Sequence, residues 1–142
     1  MQKLEKKIEI ESSPEKIYNI IKDGVITPKW NPTVSAITFE DENTLLETDF
    51  GAMKIVNAKY DKNKSTTWFM EKSNMNSMGY VLIPKKKATV VTLWTEFNDK
   101  ELFKIFKKSS DLLLVGLKRY IEFLEKGGNS DHYNKWEFLP PT

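Results

Sequence analysis

The chain has 142 residues, 39% hydrophobic and 30% charged, which suits one domain that hides roughly two thirds of its unfolded surface. Its net charge is only +2 and Arg119 is its sole arginine, with lysine spread along the chain, so no nucleic-acid-binding face is expected. It has no cysteine, which excludes disulfides and thiolate metal sites and fits a reducing cytoplasm. Residues 3–11 alternate Leu4, Ile8 and Ile10 with charged neighbours and predict a half-buried strand, with no apolar core of a secretory signal. A helix follows, capped either by Ser12 with Glu15 three residues on, or by Ser13 with Pro14 in the first turn. It carries Ile17, Ile20 and Ile21 on one stripe, and Gly24 is expected to stop it. Thr27-Pro28 starts a second short helix or turn, which Pro32 ends because the residue before a proline avoids the helical region.

From there to Phe97 the pattern predicts six strands, near 34–41, 44–50, 53–60, 66–72, 75–83 and 88–97. Their connections are short and turn-like, so sequential antiparallel hairpins are the economical topology, with Lys85-Lys86-Lys87 at one hairpin tip. Residues 99–126 predict a long amphipathic helix. At about 100° per residue, Leu102, Phe106, Leu113, Leu117, Tyr120 and Leu124 share a face. Asn98 or Asp99 caps its start and Gly127-Gly128 its end. No apolar run approaches the roughly 18 to 20 residues that span a bilayer, so no integral membrane association is expected. Residues 1–128 therefore form the domain. The tail, 129–142, has no period, but Tyr133, Trp136, Phe138 and Leu139 are too apolar for a solvated end, so it packs on the domain or a partner. An apolar patch of Trp136, Phe138 and Leu139 would mark a protein interface or a homodimer.

The order of strand, two short helices, six strands and one long helix resembles the START-like, or SRPBCC, superfamily with its helix-grip fold. This family includes plant pollen allergens, polyketide cyclase-like proteins and lipid-transfer domains. The resemblance rests on Ile8 to Ile10, Ser13-Pro14-Glu15-Lys16-Ile17-Tyr18, Pro28-Lys29-Trp30-Asn31-Pro32 and Ala88-Thr89-Val90-Val91, in that order. It covers roughly residues 4–126. It implies an α+β fold in which a curved seven-stranded antiparallel sheet wraps around the long C-terminal helix. The two short helices, between strands 1 and 2, then plug one end of the curled sheet. It also implies a cavity between sheet and helix that takes a hydrophobic small molecule or lipid.

Candidates for lining that cavity are the large, adaptable groups of the sheet, Tyr60, Trp68, Met70, Met78, Tyr80 and Trp94, with Trp30 before the second strand. Tyr80 is the favoured polar group, because its hydroxyl can orient a ligand at an apolar wall. From the long helix come Phe106, Ser109, Ser110, Leu113, Gly116 and Leu117, the small residues leaving room beneath it. Plain core packing is the alternative at each of these positions.

His132 is the only histidine, and no carboxylate cluster has ligand spacing, so neither a metal nor another cofactor is expected and a Ser or Cys triad lacks its base. Glu47, Asp49, Glu71 and Glu96 remain as acid–base candidates. Glu71 is the most informative, since burial would raise its pKa and suit it to proton transfer. The leading expectation is a module that binds a hydrophobic molecule, for transport or sensing, without chemistry of its own. A polyketide cyclase or dehydratase-like enzyme is the alternative within the same fold. A third is an interaction module of the chaperone-activator or ribosome-associating type.

Overall fold

The computed structural model describes residues 1–137. Its elements run β1 (Gln2–Ile10), α1 (Pro14–Lys22), α2 (Thr27–Trp30), β2 (Val34–Glu40), β3 (Asn43–Thr48), β4 (Gly51–Asp61), β5 (Ser65–Glu71), β6 (Ser77–Lys85), β7 (Ala88–Phe97) and α3 (Phe103–Glu125). The strands form one antiparallel sheet in the order β1-β7-β6-β5-β4-β3-β2. Strands two to seven are a plain meander, so β1 and β2 are the two edges. The segment between them must cross the full width of the sheet, and α1 and α2 make that crossing. This is the helix-grip fold: a curved seven-stranded sheet around a long C-terminal helix, with two short helices after the first strand. Irregular registers between Val34 and Ala36 and between Ile55 and Asn57 bend β2 and β4.

Ser13, not Ser12, caps α1: its side chain accepts from the Lys16 N–H at 3.3 Å. Ser12 is drawn away, its hydroxyl donating to the Glu125 carboxylate at 2.8 Å. Asp23 ends α1, and Gly24 opens a 3₁₀ turn instead of closing the helix. Its lack of a side chain serves a close approach, since a Cβ there would lie 3.2 Å from Cδ1 of Ile37 on β2.

Asp99 caps a 3₁₀ turn, Lys100–Leu102, that leads into α3, accepting from the Glu101 N–H at 2.9 Å. The far end is a Schellman closure. Gly128 N–H donates to the Phe123 carbonyl and Gly127 N–H to the Leu124 carbonyl, with Gly127 at φ +86°. Along α3 the buried face is Phe106, Ser110, Leu113, Leu114, Gly116, Leu117, Tyr120 and Ile121.

The core divides in two. One cluster joins Ile10, Ile17, Ile21, Trp30, Leu82, Val91, Leu117 and Ile121 beneath α1 and the later turns of α3. The other joins Leu4, Val34, Leu46, Met53, Met75, Phe97 and Phe106 under its first turns. Met78 packs against both.

The segment after α3 returns to the domain. Tyr133 is buried edge-on to Tyr120, with ring centroids 4.9 Å apart, and 5.2 Å from Phe123. The Lys135 ammonium donates to the backbone carbonyls of Asn31 and Val34, at 3.0 and 2.9 Å. Burial holds that ammonium below the usual lysine pKa. Trp136 is 61% exposed, with the Lys135 ammonium 5.0 Å from its ring. Phe138 and Leu139, with which the sequence built an apolar patch, lie outside the described residues.

Candidate functional site

Between the two clusters lies a cavity of about 190 Å³. The sheet supplies one wall. Alternation along β6 and β7 points Met78 and Tyr80, Leu93 and Thr95 to the concave face, where they pair as Met78 with Thr95 and Tyr80 with Leu93. Trp68 on β5 lies opposite Met78 and joins the same wall. The bent strands β2 to β4 add Val34, Ile37, Leu46, Met53 and Ile55. The helical wall is Phe106, Ser109, Ser110 and Leu113, and Trp30 and Asn31 close the end beneath α2. Lys22, Phe39 and Tyr60 also border the cavity but are exposed, so they mark its rim.

Of the residues nominated from sequence, Trp30, Tyr60, Trp68, Met78, Tyr80, Phe106, Ser109, Ser110 and Leu113 border this space. Four do not. Trp94 lies between Leu93 and Thr95, so the period of the strand turns it to the convex face. There its ring covers Gly79, whose added Cβ would stand 2.8 Å from Cζ2, and the Lys3 ammonium lies 5.7 Å from the ring. Met70 packs into the Met53–Phe106 cluster at the end of β5, where Met75 takes the cavity wall. Leu117 is wholly buried in the other cluster. Gly116 has no room beneath it: a Cβ there would stand 2.7 Å from Cδ of Pro32 and 2.9 Å from the Trp30 carbonyl oxygen. The cavity thus lies under the first half of α3, not the second. Sequence reasoning passed over Met53, Thr95 and the β2–β4 wall; the alternation Ile37/Phe39, Leu46/Thr48 and Met53/Ile55 was the signal that could have found them.

Asn31 at the wall accepts from the Thr33 N–H and hydroxyl at 2.9 and 2.7 Å, but several other neutral polar groups there lack partners among the described residues. Tyr80 is 3% exposed, and its hydroxyl has no hydrogen-bond partner among the described residues. Burial raises its pKa far above the usual phenol range, so it stays protonated. The Ser110 hydroxyl, on a residue 5% exposed, is likewise unpaired among the described residues. Trp30 Nε1 and Thr95 Oγ1 are buried without partners among the described residues. Among the described residues no carboxylate or histidine borders the cavity. Glu71 is exposed and paired with Lys54 at 3.3 Å, so it is not the buried acid that proton transfer at this site would need. Among the described residues no three His, Cys, Asp or Glu side chains are grouped to hold a metal ion, and no helix is long and apolar enough to cross a membrane.

No protein-family model and no curated protein matches the chain. Solved structures do share its fold. The protein XoxI from Bacillus cereus matches with a TM-score of 0.73 at 15% identity, over 91% of this chain and 100% of that one. The Aha1 dimer from Colwellia psychrerythraea gives 0.69 at 19% identity, over 83% and 94%. A START superfamily protein from Mycobacterium smegmatis gives 0.66 at 15% identity, over 88% and 97%. At these identities the likeness establishes the fold, the helix-grip architecture of START-like proteins, and nothing finer.

Proposed function

We propose that this protein binds a hydrophobic small molecule in the cavity between its sheet and α3, without chemistry of its own. The observation that supports this most is the cavity itself, about 190 Å³ walled mainly by aliphatic, aromatic and thioether side chains. Packed interiors rarely leave voids much larger than a water molecule, so a space of this size on an apolar wall supports a binding role. An engineered apolar cavity of about 150 Å³ takes benzene, which favours a ligand near the size of a substituted ring over a long-chain lipid. The three methionines at the wall, Met53, Met75 and Met78, adapt readily to ligand shape.

Calorimetric titration with toluene tests the reading. The parent protein should bind one molecule per chain. Ser110→Phe, which fills the cavity from α3, should abolish the heat while retaining a cooperative thermal transition. Ile105→Ala, on the exposed side of α3, should leave binding unchanged. Equal binding by the parent and Ser110→Phe would move the site elsewhere.

A further inference from the structure

We infer that the ligand is a single-ring molecule carrying an uncharged hydroxyl, of the phenol class, whose oxygen pairs with the Tyr80 hydroxyl, with the Ser110 hydroxyl bordering the same space. The inference rests on the proposed binding role and adds the chemistry that the wall selects. Tyr80 comes from the sheet and Ser110 from the helix, so the two layers each bring one hydroxyl to the same space. Both residues are more than nine-tenths buried, and neither hydroxyl is paired among the described residues. Neither oxygen is among the atoms sealed from the cavity, so a ligand oxygen can take the place that water would otherwise fill beside it.

The ligand's own polar group has to be neutral. Among the described residues the only cation at the cavity, Lys22, is exposed at the rim, with its ammonium 5.1 Å from the Tyr60 ring. A carboxylate drawn inside would lose its hydration without gaining a counter-ion. The ring preference follows from the wall. Trp68 stands edge-on to Tyr80, with centroids 5.8 Å apart, and Phe50 edge-on to Phe106 at 5.1 Å. Aromatic edges and thioether sulfurs both favour contact with a further ring.

Three molecules of one shape separate the alternatives: toluene, p-cresol and 4-methylbenzoate, each titrated by calorimetry into the parent, Tyr80→Phe and Ser110→Ala. In the parent, p-cresol should bind about threefold or more tighter than toluene, as expected for one or two net hydrogen bonds. 4-Methylbenzoate should bind at least about 100-fold more weakly than p-cresol. Tyr80→Phe removes the wall hydroxyl, so the ratio of p-cresol to toluene affinity measured within that variant should fall to about one. Ser110→Ala should reduce that preference in part. The inference is overturned if p-cresol binds no better than toluene in the parent, if both variants keep the preference, or if the carboxylate binds as well as the phenol. Toluene binding alone would leave the apolar site standing. Failure of all three molecules would overturn the site and the ligand class together.

Discussion

Trp68 donates its indole N–H to the Tyr60 hydroxyl at 3.2 Å, joining a ring at the rim of the cavity to one on its inner wall. Tyr60, 46% exposed, meets water, while Trp68 continues edge-on to the buried Tyr80. The indole of Trp68 should therefore report on ligand. Saturating toluene should change the intrinsic emission, and that change should persist in Trp94→Phe and Trp136→Phe, which alter rings away from the cavity. It should fall markedly in Trp68→Phe. A change lost only in Trp136→Phe would put the ligand on the C-terminal segment.

Gly116 meets Pro32 and the Trp30 carbonyl, so Gly116→Leu should destabilise the protein. Helix propensity favours the substitution by roughly 0.8–1 kcal/mol. Overpacking against a proline ring and a backbone oxygen costs about 1–3 kcal/mol, and neither neighbour can swing aside as a flexible side chain would. A lower urea midpoint is expected. A midpoint at or above that of the parent would mean that the Trp30–Pro32 segment stands further from α3 than these contacts require.

The Ser12 hydroxyl and the Lys16 ammonium together hold the Glu125 carboxyl below its ordinary value of 4.5. A carboxylate lowered in the folded state adds stability above its unfolded pKa, and that share is lost as pH falls through the folded value. Glu125→Gln should therefore be less stable than the parent near pH 7, with the gap narrowing as pH drops below about 4. Because the pair is largely solvated, the gap should be modest. Urea midpoints measured across that range check it, and a gap independent of pH would contradict it.

Tyr133 belongs to the principal core although it lies beyond α3. Its ring is buried against Tyr120 and Phe123, and the Tyr120 hydroxyl meets Ser130 Oγ at 2.7 Å. Tyr133→Ala should cost on the order of 3 kcal/mol, as large aromatic truncations in cores do. A midpoint within error of the parent would show that residues 129–137 are dispensable to the fold.

Much of the architecture was legible because alternation and turn chemistry are local. Each strand runs within a few residues of its expected span, and the Gly127-Gly128 pair closes α3 as its sequence indicates. What misled was choosing cavity residues by size. Trp94 is large, but Leu93 and Thr95 beside it already fix its face once the sheet has a concave side. Gly116 on the buried face of a helix fits either a gap or a tight crossing, and the position of Pro32, far away in sequence, decides between them. Ser12 and Ser13 have equivalent local claims to the helix cap. Glu125, more than a hundred residues on, settles the matter by taking the Ser12 hydroxyl. Such outcomes are tertiary, and no window of sequence contains them.

An open apolar space lies between the sheet and the first half of α3, and the chain carries its own reporters of it. Of its five methionines, Met53, Met75 and Met78 border the cavity, whereas Met1 is exposed and Met70 packs away from it. Xenon enters apolar cavities without needing any polar recognition. Methyl NMR of protein labelled at the methionine methyl groups, recorded under increasing xenon pressure, should show saturable shifts at Met53, Met75 and Met78, with Met1 unmoved and Met70 moving less than those three. Unchanged methyl signals at Met53, Met75 and Met78 would mean that the space is closed in solution, and would contradict the account.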